Sequence, residues 1–301
     1  MSETFDSIFP ENIRTIAVTA PAGAPDCEKL HNSLQYLAGC NVNIHSYIAA
    51  KDSSDFSYLA GSVQQRADLF NRAVNDPEAD LVLCVRGGFG SVHILDRIDF
   101  AALRDRQLPV MGYSDITALH CAMLKNSAGT VIAGSNLIGI EQTASDKLTL
   151  ESHRNALKNS AYTKIESSTV KQLRKVTDYP ATDITARAAA LNLTVLASLC
   201  GTPFMPDFSG MILILEDINE PVYKIDRMLT QLAINGVFSN LAMLIFGNFS
   251  GTESTELEML FKRFADTLNI PCLSNFPFGH CFPMHAVNAS QMMHIPALFQ
   301  N

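Results

Sequence analysis

The sequence predicts an α/β fold whose first half is a mostly parallel sheet with flanking helices. Three observations carry this prediction. Short apolar segments alternate with segments of helical spacing from Thr15 to Ala133, the pattern of repeated βαβ units with right-handed crossovers. Residues 81–85 are apolar without interruption, as in a parallel strand buried on both faces. Two such strands run directly into glycine-rich turns, Arg86-Gly87-Gly88-Phe89-Gly90 and Gly112-Tyr113-Ser114-Asp115. The carboxyl ends of strands are where open α/β sheets assemble their sites.

The elements follow in order. Residues 15–19 form a strand that ends in Ala20-Pro21-Ala22-Gly23-Ala24-Pro25, and residues 28–38 have helical spacing through Leu30, Leu34 and Leu37. Residues 42–47 form the second strand, and residues 63–74 a helix ahead of the strand at 81–85. Another helix begins over 91–96. The strand at 108–111, with Pro109 at its start, passes through the Ser114 turn into a helix reaching Lys125, and 130–133 is the next strand. From about 141 to 179 the apolar periodicity fades; 151–157 has helical character and the remainder reads as a connection. A second globular segment opens with 188–196 and holds an apolar strand at 211–215, a helix at 227–234 and a buried strand at 241–246. The expected division is 1–145 for an N-terminal α/β domain with the nucleophile, 146–182 for the connection, and 183–301 for the second domain.

Composition narrows the function. A chain of 301 residues, 47% hydrophobic, can bury the cores of two domains. Its net charge of −8, with no block of Lys or Arg, argues against nucleic acid and anionic membranes as partners. The acidic start, Met1-Ser2-Glu3-Thr4-Phe5-Asp6, has neither a basic region nor an apolar one, so a cytoplasmic location is expected. The seven cysteines, at 27, 40, 84, 121, 200, 272 and 281, form an odd set without C-x-x-C spacing. They read as reduced thiols, several of them buried, and not as disulfides or a zinc site.

The Ser114 turn has the layout of a nucleophile elbow, a serine on a sharp strand-to-helix turn with neighbouring N–H groups free to hold an oxyanion. Gly112 fits that turn, while Ile116 stands where a second glycine is usual. The plain alternative is a helix N-cap. The Arg86–Gly90 turn fits neither G-x-G-x-x-G nor the Walker pattern, which disfavours a nucleotide cofactor. It is a tight connection, or a supplier of backbone N–H groups from Gly87 or Gly88 to an oxyanion at Ser114, alongside the N–H of Asp115.

A serine nucleophile needs a base and an orienting carboxylate. Of the eight histidines, His120 is misplaced, because six helical residues turn about 240° and rise about 9 Å from the elbow. His31, His93 and His153 sit in polar helical surroundings and read as surface residues, and His45 within a strand is uninformative. His280 follows a glycine at a turn and is the best-placed base; the spacing to His285 and His294 fits no standard metal site. Glu216 and Asp217 end an apolar strand and point to opposite faces, so either acid is open as the partner.

Taken together, Arg86-Gly87-Gly88-Phe89-Gly90, Gly112-Tyr113-Ser114-Asp115, Leu199-Cys200-Gly201-Thr202-Pro203, Leu215-Glu216-Asp217-Ile218-Asn219-Glu220 and Phe278-Gly279-His280 resemble the ordered motifs of the LD-carboxypeptidases, the muramoyltetrapeptide carboxypeptidases of bacterial cell-wall recycling. The resemblance implies an N-terminal α/β domain of Rossmann- or flavodoxin-like layout, a smaller β-rich α/β C-terminal domain and a site between them. It implies a triad of Ser114, Glu216 and His280, settling the choice of acid, and a homodimer. It implies release of D-Ala from a muropeptide tetrapeptide, without a metal or other cofactor. The substrate's terminal carboxylate needs a cationic partner; Arg86 is the candidate, with bracing of its own loop as the alternative.

Two departures stand out. The second domain opens with Ala190-Leu191-Asn192 where the family usually has Gly-Gly-Asn, and after His280 the usual Leu-Pro-x-Gly motif is replaced by Ile295-Pro296-Ala297. The apolar closing segment, 292–299, is expected to pack on its own subunit or a partner. Two rival readings remain: a peptidase of the microcin-immunity type, and a muropeptide-binding homologue without catalysis. The absence of tryptophan disfavours the first, since such a site would stack a nucleotide base on an aromatic ring.

Overall fold

The computed structural model describes residues 7–50, 54, 56–158, 160–163, 165–177 and 182–297. Strands β1 (Thr15–Thr19), β2 (Asn43–Tyr47), β3 (Leu81–Cys84), β4 (Pro109–Gly112) and β5 (Thr130–Ala133) form a parallel sheet in the order 2-1-3-4-5. That is the order of a flavodoxin-like doubly wound sheet, whose sites lie at the carboxyl ends of the strands. Every residue of β1 and β3 is buried, whereas the edge strand β2, Asn-Ile-His-Ser-Tyr, is partly exposed along its length. The helix Val63–Val74 spans the predicted residues, because Ser62 and Gln65 close a capping box at its start.

The second sheet is built from short strands β6 (Tyr162–Thr163) and β7 (Arg174–Lys175) and from β8 (Ile184–Asn192), β9 (Ile212–Ile218), β10 (Met243–Ser250) and β11 (Cys272–Ser274). Strands β8 to β11 are parallel to one another. After β11 the chain returns to the first sheet as β12 (Val287–Asn288), antiparallel to β5, and ends in the second as β13 (Met292–Ile295). The closing segment therefore packs on its own subunit: β13 lies between β8 and β6, with Met293 and Ile295 buried. It stops directly before Pro296, which has no N–H to continue the ladder; Leu298 and Phe299 lie outside the described residues.

One apolar core joins the two halves, running from Ile116 and Leu119 to Leu193 and Leu196, all fully buried. Each such side chain contributes about 1.5–3 kcal/mol by leaving water. The halves are thus held as one packed body at the helices that follow Ser114 and Asn192, Thr117–Lys125 and Leu193–Ser198.

Several expectations need correcting. Residues 91–97 form a 3-10 helix, followed by an α-helix at Phe100–Arg106. The helix expected at 151–157 is present and starts earlier, as Lys147–Leu157, and the stretch read as a connection also holds helices at Ile140–Ser145 and Ser167–Gln172. His153, expected at the surface, is fully buried: its Nε2 accepts from Ser135 N at 2.9 Å and its Nδ1 bonds Thr149 O at 2.8 Å. His31 and His93 are exposed as expected. All seven cysteines are free; Cys84 and Cys121 are buried, while Cys27 is exposed.

Candidate active site

Ser114 sits where the carboxyl end of β4 turns into a 3-10 turn, Ser114–Ile116, and then the helix Thr117–Lys125. Its φ is +65°, following an extended Tyr113. A non-glycine residue in this left-handed region costs about 1–2 kcal/mol, and the surroundings must hold it there. Here Asn136 Oδ1 accepts from Tyr113 N at 3.3 Å, and Asp115, 4% exposed, accepts from Ser91 N at 2.8 Å through Oδ2. Ser91 Oγ in turn donates to Asp115 O at 2.5 Å. Burial raises the Asp115 carboxyl above its ordinary range, opposed by the Ser91 hydrogen bonds and the charges of Arg66 and His93. Ile116, in the place of the second glycine, fills the core.

The Arg86–Gly90 turn lies against this elbow. A Cβ added to Gly87 would stand 2.8 Å from Ser114 Cβ, 2.9 Å from Ser114 Oγ and 3.1 Å from Asp115 N. Only glycine leaves room for the serine. Gly88, at φ +100°, faces the other way, toward Arg86 and Gly23. Arg86 donates from Nη1 to Ala24 O at 2.9 Å, so the bracing role is present in the structure.

Glu216 and Asp217 do not end their strand; β9 continues through Ile218, and the two carboxylates are 0% and 3% exposed. Buried carboxylates must be partnered, and these are. Glu216 Oε2 accepts from His280 Nδ1 at 2.9 Å and lies 3.3 Å from His280 N, while Oε1 accepts from Asn192 Nδ2 at 2.9 Å. Asp217 Oδ2 accepts from Thr194 N and Thr194 Oγ1, and Oδ1 accepts from Ile218 N and Asn192 Nδ2. The imidazole therefore pairs with Glu216.

Two glycines let the histidine approach. At Gly247 a register shift interrupts the pairing of β9 with β10, and Asn248 N donates to Phe278 O at 2.9 Å. Gly279, at φ +121°, passes so close to Glu216 that an added Cβ would lie 2.6 Å from Oε2. Burial acts to lower the His280 pKa, but its hydrogen bond to Glu216 and the charges of Glu216 and Asp217 outweigh burial and raise it above the ordinary imidazole value. The ring of Tyr113, the residue before the serine, lies 5.0 Å from the imidazole centroid, which sets His280 beside the elbow. Ser114 and His280 are not hydrogen-bonded to each other here; such contacts often tighten only with substrate present.

Asn192 is the site residue that residue-by-residue reading passed over. Its side chain touches both acids and also caps the helix Leu193–Ser198 through Val195 N, and its backbone N donates to Thr117 Oγ1 at 2.9 Å. It thereby ties the acid to the helix that carries the elbow. An asparagine between an apolar strand and a helix is the available sequence signal. A cavity of about 740 Å³ lies along the far flank of the histidine loop, lined by Arg174, Asn248, Phe249, Phe276, Cys281 and Phe282 among others, and does not reach Ser114.

Residues 16–134 match the LD-carboxypeptidase N-terminal domain and residues 185–295 the LD-carboxypeptidase C-terminal domain. The chain is 32% identical over 282 residues to a probable murein peptide carboxypeptidase of Bacillus subtilis, covering 91% of this chain and 86% of that one. It is 27% identical to the microcin C7 self-immunity protein MccF of Escherichia coli, over 77% of this chain and 75% of that one. The crystal structure of muramoyltetrapeptide carboxypeptidase from Oxalobacter formigenes superposes with a TM-score of 0.79 at 25% identity, covering 93% of this chain and 94% of that one. Carrying both domains of one peptidase family in order and along nearly its whole length, the chain belongs to the LD-carboxypeptidases.

Proposed function

We propose that the protein is a serine carboxypeptidase that releases the terminal D-Ala from a muropeptide tetrapeptide, working in the cytoplasm as a homodimer in cell-wall recycling. The observation that carries this reading is the bond of 2.9 Å between buried Glu216 and partly exposed His280, beside a serine held at φ +65°. With Nδ1–H given to Glu216, the imidazole has Nε2 as its basic nitrogen. His280 takes the proton of Ser114 Oγ as that oxygen attacks the carbonyl carbon of the scissile bond. The C–N bond breaks when the same proton passes to the leaving amine of D-Ala, and water then hydrolyses the acyl-enzyme. The N–H groups of Asp115 and of Gly87 or Gly88 are the proposed oxyanion donors. Of these two glycines, Gly87 is the one packed on the serine. Arg86 is the proposed partner for the substrate carboxylate, with one guanidinium nitrogen engaged by Ala24.

The test is release of D-Ala from the free tetrapeptide by the intact protein and by Ser114→Ala and His280→Ala. Each replacement should lower turnover by several orders of magnitude, roughly 4–8 kcal/mol, without loss of fold. Near-normal turnover by Ser114→Ala refutes the mechanism. Cleavage of an aminoacyl-sulfamoyl adenosine instead of the tetrapeptide moves the protein to the microcin-immunity reading. Tight tetrapeptide binding without D-Ala release makes it a binding protein. A monomeric mass by light scattering at micromolar concentration removes the dimer.

A further inference from the structure

The loop that carries His280 runs between the two halves. It leaves the second sheet after β11 and enters the first as β12, which pairs with β5. Its tip is hydrogen-bonded to the second half: Asn248 N donates to Phe278 O, Ser250 Oγ donates to His280 O at 2.6 Å, and Glu216 holds the imidazole. These bonds fix His280 relative to Glu216. Ser114 follows β4 of the first sheet, so the distance from serine to imidazole needs a tie of its own.

His285, 1% exposed, closes the neck of this loop. Its backbone N donates to Pro277 O at 2.6 Å, and its ring lies 5.5 Å from that of Phe276. The imidazole reaches both halves. Nδ1 lies 3.0 Å from Ser152 Oγ on the helix Lys147–Leu157, and Nε2 lies 2.7 Å from Thr169 Oγ1 on the helix Ser167–Gln172. The first of these helices is bonded to the half that carries Ser114: His153 accepts from Ser135 N just after β5, and Arg154 Nε donates to Ser7 O at 2.6 Å. The second leads into β7, which pairs with β11 in the second sheet.

We propose that His285 is a positioning residue that sets the imidazole of His280 against Ser114 by joining the neck of its loop to helices of both halves. The inference rests on the Ser114–His280 reading above and deepens it. The proton arrangement shows why the joint is stiff. Ala286 N donates to Ser152 Oγ at 2.8 Å, and the hydroxyl proton goes to Nδ1, which is nearer than Ala286 O at 3.5 Å. Nε2 then bears the proton of the neutral ring and donates to Thr169 Oγ1. Turning the ring would leave buried polar groups unpaired on two helices, which is costly. His285 acts through the backbone that leads from His280. Alignment of the reacting atoms is the sensitive quantity: a displacement of about 1 Å can cost about a hundredfold in rate.

His285→Leu fills most of the ring's volume and removes both side-chain bonds. The kcat of the folded variant for D-Ala release should fall about ten- to a hundredfold, with KM within about twofold of the parent. The acid limb of kcat/KM should stay in place, because the Glu216–His280 bond is made within the second half. His285→Asn, whose amide can stand in for Nδ1, should recover part of the loss. Urea denaturation establishes that each variant is folded under assay conditions. If His285→Leu is not, Thr169→Val serves: it removes the acceptor of Nε2, leaves the loop's own sequence intact, and should lower kcat about threefold or more with KM again unchanged. Unchanged kcat, a rise in KM in place of a fall in kcat, or an acid limb that moves overturns the proposal. Crystal structures of the parent and of the folded variant read the same effect without a substrate. His280 should shift by about 1 Å relative to Ser114, and an unmoved His280 also overturns the proposal. Failure of the unmodified protein to release D-Ala counts against the carboxypeptidase reading alone.

Discussion

Replacing Glu216 with glutamine tests the proposed triad at its most constrained atom pair. Glu216 presents two acceptor oxygens, one to His280 Nδ1 at 2.9 Å and one to Asn192 Nδ2 at 2.9 Å. A glutamine has one acceptor and one donor. If its oxygen faces His280, its NH2 meets the NH2 of Asn192, donor against donor in a fully buried position. If it flips, its NH2 faces Nδ1 and selects the tautomer with the proton on Nε2, which cannot accept one from Ser114. Loss of the correct tautomer in an analogous triad costs about 10⁴-fold, so a fall of roughly 10³–10⁴-fold in kcat is expected, or about 4–5.5 kcal/mol. A second signature is independent of magnitude. The base works only when neutral, and its pKa is raised by Glu216, so the acid limb of kcat/KM should lie above the ordinary imidazole value of about 6.5. Without the carboxylate, burial of the ring remains, and the limb of the residual activity should move to lower pH. D-Ala release from pH 5 to 9 measures both. Turnover within about tenfold of the parent, or an acid limb that does not move, refutes the assignment of Glu216 as the orienting acid.

Gly87→Ala puts a methyl 2.8 Å from Ser114 Cβ; displacement of the proposed nucleophile should cost about a hundredfold or more in turnover, and ordinary activity would show that the turn does not set the serine. Thr117→Val removes the acceptor of the buried Asn192 N–H and should lower stability by about 1–3 kcal/mol, read as a shift of the urea midpoint; an unchanged midpoint means the bond contributes nothing. Burial lowers the pKa of His120, His153 and His285 to about 4 in each case. An unfolded chain takes up these protons near pH 6.5 and the folded chain only near pH 4. Each histidine's contribution is therefore intact above pH 6.5 and lost as pH falls toward 4, by about 3 kcal/mol apiece. The melting temperature should fall across that window, and His285→Asn should flatten the fall; a flat profile for the parent contradicts the burial argument. D-Ala release should persist in the presence of a chelator, and loss of activity restored by added metal would overturn the metal-free mechanism.

The first sheet was legible because its strands are apolar runs closed by glycine-rich turns, and the elbow because Gly112 and Ser114 occupy such a turn. Burial by polar partners was not legible. The helix Lys147–Leu157 buries Thr149, Ser152 and His153; a search for apolar periodicity counts these as solvent-facing, so it finds helical character only over 151–157 and reads the residues before it as a connection. Their burial is offset by partners far along the chain, Ser135 for His153 and His285 for Ser152. The same blindness shortened β9 in the reading. Two charged residues after an apolar run look like its solvated end, yet Glu216 and Asp217 continue the strand because Asn192, Thr194 and His280 supply their hydrogen bonds.

The parts of the proposed site come from two sheets. Ser114 is set by β4 and the turn after β3, Glu216 by β9, and His280 by a loop that crosses β9 and β10 where Gly247 breaks their register. Their relative positions therefore depend on the junction between the halves. That junction is mostly apolar, Ile116 and Leu119 against Leu193 and Leu196, and apolar packing is not directional. The bond from Asn192 N to Thr117 Oγ1 is directional, and it joins the elbow helix to the residue whose side chain holds Glu216. Ala190 and Leu191, directly before that residue, both enter buried clusters, while the Asn192 side chain donates to Glu216 and Asp217. The asparagine has a donor set that neither alanine nor leucine can supply.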